Sequence, residues 1–245
     1  SWRATTDRLT SFEASFSALA QTNPALIATE SVALESSDLT LALPDGTLLL
    51  KSAQFKAQIG DRILLQGPSG SGKSTLFRAL AGIWPFASGH LQRPADAMFL
   101  AQRPYFPLGS LRAALAYPQE ASLFTDEQLC QALSAAQLPN LTEQLDQEGA
   151  WGQTLSGGEQ QRLAMARVLL KKPRWLFADE ATSALDETTE NILYKTLLAD
   201  MQQRHGAIIS IAHRSSVAAS HPHRWLMVRA APGAAAKFEL HQPAS

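Results

Sequence analysis

The sequence is poor in cysteine, in aromatics and in net charge. Cys130 is the only cysteine, which excludes an internal disulfide and a multi-cysteine zinc centre. With 21 Lys plus Arg against 22 Asp plus Glu, the formal charge is −1, so no basic field exists to hold nucleic acid through its backbone. No apolar run approaches the roughly 18 residues that cross a bilayer, and no signal-peptide pattern opens the chain. Aromatic residues make up 7%, and none occurs between Phe16 and Phe55. What is abundant is aliphatic: 45% hydrophobic and 18% charged over 245 residues suit a folded domain with a substantial core, not a disordered chain. The first residue is Ser1 rather than Met, which reads as a processed or excised piece.

Trp2, Leu9, Phe12, Phe16 and Leu19 recur at helical spacing, so residues 2–20 are expected to form an amphipathic helix. The stretch around Asn23-Pro24 reads as a linker, with a domain boundary between residues 30 and 31. Beyond it, Pro44-Asp45-Gly46 between apolar segments predicts a hairpin. Short apolar runs at 63–65, 98–101, 175–178, 208–212 and 225–228 read as buried strands, and 237–240 as a last short one. Helix-like segments at 74–80 and 159–170 separate them, an alternation that indicates a mainly parallel α/β sheet. From about 105 to 158 the pattern turns to Ala, Leu and Gln at helical spacing, which reads as an inserted helical subdomain.

Three segments carry chemistry. Gly67-Pro68-Ser69-Gly70-Ser71-Gly72-Lys73-Ser74-Thr75 fits G-x-x-x-x-G-K-[ST] between a predicted strand and a predicted helix. Its glycines let backbone amides wrap an oxyanion, Lys73 would reach the β- and γ-phosphates, and the Ser74 hydroxyl would take Mg²⁺. The apolar strand at 175–178 runs into Asp179-Glu180. Alternation along a strand would separate their tasks, Asp179 positioning Mg²⁺ and Glu180 polarising the attacking water. Two acids closing a strand are by themselves more often a solvated turn; the upstream phosphate loop reverses that reading. Leu155-Ser156-Gly157-Gly158-Glu159-Gln160-Gln161-Arg162 joins small residues to a second helix start, a second anion-facing N-terminus that invites a head-to-tail dimer.

Taken with Ser183-Ala184-Leu185-Asp186 and His213, this order of motifs closely resembles the nucleotide-binding domain of ATP-binding cassette (ABC) proteins over residues 31–230. The resemblance implies a P-loop NTPase core of RecA-like type with an antiparallel β subdomain and the helical insertion. It also implies ATP and Mg²⁺ as ligands and ATP hydrolysis coupled to transport. Gln102 would sense Mg²⁺ and the membrane partner, giving a metal set of Ser74, Gln102 and Asp179. Ser156, Gly157 and Gly158 would meet the γ-phosphate held by a second copy, Asp186 would link the two composite sites, and His213 would contact the γ-phosphate. A lone histidine past a strand is usually structural, so that last role rests on motif order. The alternative is a soluble ABC-type ATPase or nucleotide-dependent regulator without a membrane domain.

Trp84-Pro85, the run 102–112 and Tyr117-Pro118 look like the branch holding peroxisomal fatty-acyl half-transporters and their bacterial relatives. On that likeness residues 1–30 are a helical linker from a transmembrane domain preceding the cassette. The place is the cytoplasmic face of a membrane, most simply the bacterial inner membrane, and Tyr105 and Phe106 lie near the membrane-domain interface. One departure is Leu43, where many relatives stack adenine on an aromatic residue; GTP is expected to compete better as a result. His221-Pro222-His223 lacks further ligands for a metal and reads as a turn.

Overall fold

The computed structural model describes residues 26–243. In chain order the first elements are β1 (Leu26–Ser31), β2 (Leu34–Ala42), β3 (Leu48–Ala57), β4 (Arg62–Gln66), α1 (Lys73–Leu80), β5 (Ala87–Pro94) and β6 (Ala97–Leu100). The two-residue strand β7 (Gly109–Ser110), α2 (Leu111–Ala116), α3 (Asp126–Ala135), β8 (Glu148–Gly149), α4 (Trp151–Thr154) and α5 (Gly157–Lys171) come next. Then follow β9 (Trp175–Asp179), α6 (Glu187–Gln203), β10 (Ala207–Ile211), α7 (Ser215–Ala219), β11 (His223–Arg229) and β12 (Phe238–His241). The helix expected at 2–20 lies outside the described residues. Strand β1 begins at Leu26, ahead of the boundary expected at 30/31.

The chain divides into two compact units. The first takes the described residues up to Lys56 with 67–93 and 227–241. Its sheet runs β1-β5-β2-β3. Along β2 the buried positions are Leu34, Ser36, Leu39 and Leu41, so the inward parity changes between Ser36 and Leu39. The change coincides with a register shift against β5, as an extra residue in one strand requires. The buried Ser36 hydroxyl holds the bulge, donating to His90 O at 2.7 Å and accepting from Leu39 N–H at 3.1 Å. In the same unit β12 lies beside the end of β11.

The second unit takes 57–66 and 94–226 with the described residues after 241. Its sheet is parallel, in the order β11-β4-β10-β9-β6. Helices cover parallel strands on both faces, which makes them continuously apolar. All five residues of β10 are buried, as are 175–178 of β9. The helical segment expected at 105–158 is present as α2, α3 and α4, but it does not stand apart. Leu163 and Ala166 of α5 complete its core of Leu111, Leu129, Leu133 and Trp151. Met165 and Val168, on another side of α5, pack with Leu176, Leu197 and Ile208 under the sheet. Helix α5 therefore serves two cores.

Candidate functional site

In the first unit the phosphate-loop motif forms a tight turn ahead of α1. Gly72 sits at φ +94° and a Cβ there would lie 2.8 Å from Leu49 Cδ1. At Gly67 a Cβ would fall 2.7 Å from the Met227 carbonyl oxygen, so the backbones approach too closely for any side chain. Pro68, Ser69 and Gly70 are exposed, while Ser71 is buried, its hydroxyl 3.9 Å from Met227 Sδ. Lys73 is buried and donates to Gly67 O and Pro68 O, each at 3.0 Å. Helix α1 starts from a glycine, which offers no side-chain cap, and has no acidic residue in its first turn. A buried cation beside an uncapped helix N-terminus fits a phosphate chain.

In the second unit, strand register assembles the other groups. Leu100, Ala178 and Ser210 lie side by side on β6, β9 and β10. Two residues beyond Leu100 stands Gln102, two beyond Ala178 stands Glu180, and three beyond Ser210 stands His213. All lie past the carboxyl ends of parallel strands, where such sheets carry their chemistry. Gln102 Nε2 donates to Glu180 Oε2 at 2.7 Å, and His213 Nε2 is 3.0 Å from Glu180 Oε1. Both oxygens of Glu180 are thus engaged, one by an amide and one by an imidazole. The strand ends at Asp179, and Glu180 adopts φ +49° with its N–H on Ile211 O. The expectation that strand alternation separates Asp179 from Glu180 is corrected here: a left-handed residue after the strand aims the carboxylate, at the energetic cost such a backbone carries.

Helix α5 opens on Ser156, whose side chain closes a capping box with Glu159. The Ser156 hydroxyl donates to Glu159 Oε2 at 2.7 Å, which holds the Glu159 carboxyl below the usual range. Part of this helix N-terminus is therefore already satisfied within the chain, and the single hydroxyl hydrogen of Ser156 is spent on Glu159. A Cβ at Gly157 or Gly158 would meet Ala184 and Leu185 only at 3.4–3.6 Å, an ordinary van der Waals contact, so packing within this chain does not itself demand glycine there. Asp186 caps α6, accepting Thr189 N–H at 2.9 Å, and hydrogen bonding from the Thr189 side chain together with that N–H holds its carboxyl below the usual range.

Several residues given no role by sequence reasoning hold these loops. Gln161, buried on α5, donates to Ser183 Oγ (3.2 Å) and Gln102 O (3.3 Å) and accepts Ala184 N–H (2.9 Å). Buried Arg167 reaches Ala114 O and Tyr105 O and lies over the Phe106 ring at 4.3 Å. Phe106, 7% exposed, is thereby a core residue, which corrects the expectation that placed it with Tyr105 on an interface. Tyr105 is 63% exposed and Leu108 79%. The signal for Gln161 was its place inside the Leu-Ser-Gly-Gly-Glu-Gln-Gln-Arg motif; for Arg167, a cation midway along an otherwise buried helix. His221 is buried, bonded to Ser210 and Val217.

The chain is similar to known proteins. The profile of the family described as ABC transporter matches residues 50–183. The chain belongs to the ABC transporter family. An uncharacterized ABC transporter ATP-binding protein of Haemophilus influenzae is 41% identical over 191 residues, covering 78% of this chain and 32% of the relative. ABC transporter D family member 1 of Arabidopsis thaliana is 36% identical, over 77% of this chain and 15% of its own length. A bacterial Atm1-family ABC exporter with ATP bound superposes with TM-score 0.69 at 28% identity, over 84% of this chain and 38% of that one. This ABC chain thus spans a third or less of the curated relatives it matches. It has the P-loop NTPase fold and is an ATP-binding, ATP-hydrolysing domain of the ABC type.

Proposed function

We propose that this ABC domain hydrolyses ATP at a composite site shared by two copies and so powers a membrane domain outside the chain. The observation that carries the chemistry is the hydrogen-bonded series Gln102–Glu180–His213 past the ends of β6, β9 and β10. Glu180 accepts the proton of the attacking water, and His213 holds that carboxylate and meets the γ-phosphate. Gly67, Pro68, Ser69, Gly70, Ser71, Gly72, Ser74 and Thr75 wrap the phosphates, and Lys73 pairs with them. Ser156, Gly157 and Gly158 of one copy close on the γ-phosphate held by its twin, with Asp186 beside that junction.

Ser74, Gln102 and Asp179 offer hydroxyl, amide and carboxylate oxygens, the hard donors that suit Mg²⁺. When bound, the ion would neutralise charge on the β- and γ-phosphates. Gln102 spends an Nε2 hydrogen on Glu180, and its Oε1 is the atom that would serve the ion.

On this reading the chain works at the cytoplasmic face of a membrane, the inner membrane in a bacterium. The residues ahead of β1 serve as the linker from a transmembrane domain, and those from Leu26 onward as the ATPase domain with its helical insertion at about 105–158. The exposed apolar side chains Tyr105, Leu108 and Leu123 of the second unit suit a membrane-domain contact.

Replacing Glu180 with Gln is the test. Turnover should fall by at least ~100-fold, the lower end for loss of a general base, while ATP drives a stable dimer on size exclusion. A monomer with unchanged phosphate release overturns both the assignment of Glu180 and the two-copy site.

A further inference from the structure

Helix α6 presents a carboxylate that the chemistry above does not use. Glu190, its fourth residue, is 2% exposed. One carboxylate oxygen accepts the Thr182 hydroxyl at 2.6 Å. The other accepts the Ser216 hydroxyl at 3.3 Å and lies 3.2 Å from Arg214 Nη1. The Arg214 side chain is 40% exposed and that of Glu190 3%, and such a half-open ion pair adds little net stability, so its value lies in what it orders. Here the partners come from two separate segments: the loop after β9, and the stretch after β10 that leads into the first turn of α7. Thr182 stands two residues after Glu180, and Arg214 directly follows His213.

The same two segments meet where His213 Nε2 and Glu180 Oε1 are 3.0 Å apart. The His213 side chain is 65% exposed and the Glu180 side chain 27%, so little packing holds the ring in place. Its position follows from the backbone that carries it. One turn further along α6, Tyr194 bonds Ser210 at 3.2 Å, and Ser210 bonds His221 at 2.9 Å. Helix α7, which follows His213, is therefore tied to α6 at its first turn through Glu190 and beyond its last residue through Tyr194.

We propose that Glu190 is a positioning residue for hydrolysis: by clamping Thr182 to Arg214 and Ser216, it sets the separation of Glu180 and His213 without touching the nucleotide. This rests on the roles given above to Glu180 and His213. Displacing a catalytic group by about an ångström costs up to roughly 100-fold in rate.

In the intact protein, Glu190→Gln keeps the shape but removes the charge facing Arg214. Its kcat should fall roughly 10- to 100-fold, with KM for ATP changed less than about twofold. In a His213→Ala background the same change should cost almost nothing more, because the geometry it protects is already lost. Arg214→Gln combined with Glu190→Gln should recover part of the rate. If Glu190→Gln fails to fold, Thr182→Val removes the shortest bond of the clamp and should show the same split between kcat and KM. Unchanged kcat, or an equal loss with and without His213, overturns the clamp. Full turnover in both Glu180→Gln and His213→Ala overturns the site reading beneath it instead.

Discussion

His221 gives the sharpest prediction about stability. Its Nδ1–H donates to Val217 O at 2.9 Å, which leaves Nε2 to accept the Ser210 hydroxyl at 2.9 Å; Ser210 in turn accepts the Tyr194 hydroxyl at 3.2 Å. Burial, with Arg224 and Arg62 nearby, pushes the imidazole pKa from 6.5 down to about 4. The unfolded chain has no such environment. Above pH 6.5 the ring is neutral in both states and the full stability is present. Below it the unfolded chain binds a proton that the folded one refuses, so stability falls with pH and keeps falling to about pH 4. At roughly 1.4 kcal/mol per pKa unit, the loss from this group is about 1.4 kcal/mol at pH 5.5 and nears 3 kcal/mol at pH 4.

The perturbation is His221→Gln, compared with the parent by urea unfolding between pH 7.5 and pH 4.5. The variant is the less stable at pH 7.5, and the gap should narrow by about 2.5 kcal/mol on acidification. Imidazole NMR titration supplies the direct check. A gap independent of pH, or a His221 midpoint above about 6, refutes the reasoning.

Gly72→Ala should cost about 1–3 kcal/mol, because it forces a Cβ into φ +94° and against Leu49, and should weaken ATP binding; Leu49→Ala relieves only the clash, which thermal denaturation resolves. Arg167→Met should cost about 2–4 kcal/mol by stranding Ala114 O and Tyr105 O, read as a lower unfolding midpoint. Leu43→Tyr should raise selectivity for ATP over GTP by restoring a stacking surface, and competition binding measures it; a parent preference for ATP above about tenfold counts against the premise.

The chemistry-bearing segments were legible because they are local. A glycine loop needs its residues at fixed offsets, and buried parallel strands must be continuously apolar, so the phosphate loop, β4, β9 and β10 could be read directly. Helix α6 was overlooked: its apolar positions, Leu193, Tyr194, Leu197, Leu198 and Met201, are interleaved with polar residues and face two different surroundings. Strands β1 and β5 lacked a clear alternation, and β2 changes parity at its bulge.

The separate parts of the ATPase were decided by sequence alone: the anion cradle, the acid after β9 and the Leu-Ser-Gly-Gly corner, each written in consecutive residues. Their mutual arrangement was decided only by tertiary structure. Gln102, Glu180 and His213 are 78 and 33 residues apart and meet because strand register aligns Leu100, Ala178 and Ser210. The left-handed turn at Glu180, the two-sided packing of α5 and the Glu190 clamp likewise depend on neighbours distant along the chain, so no local pattern encodes them.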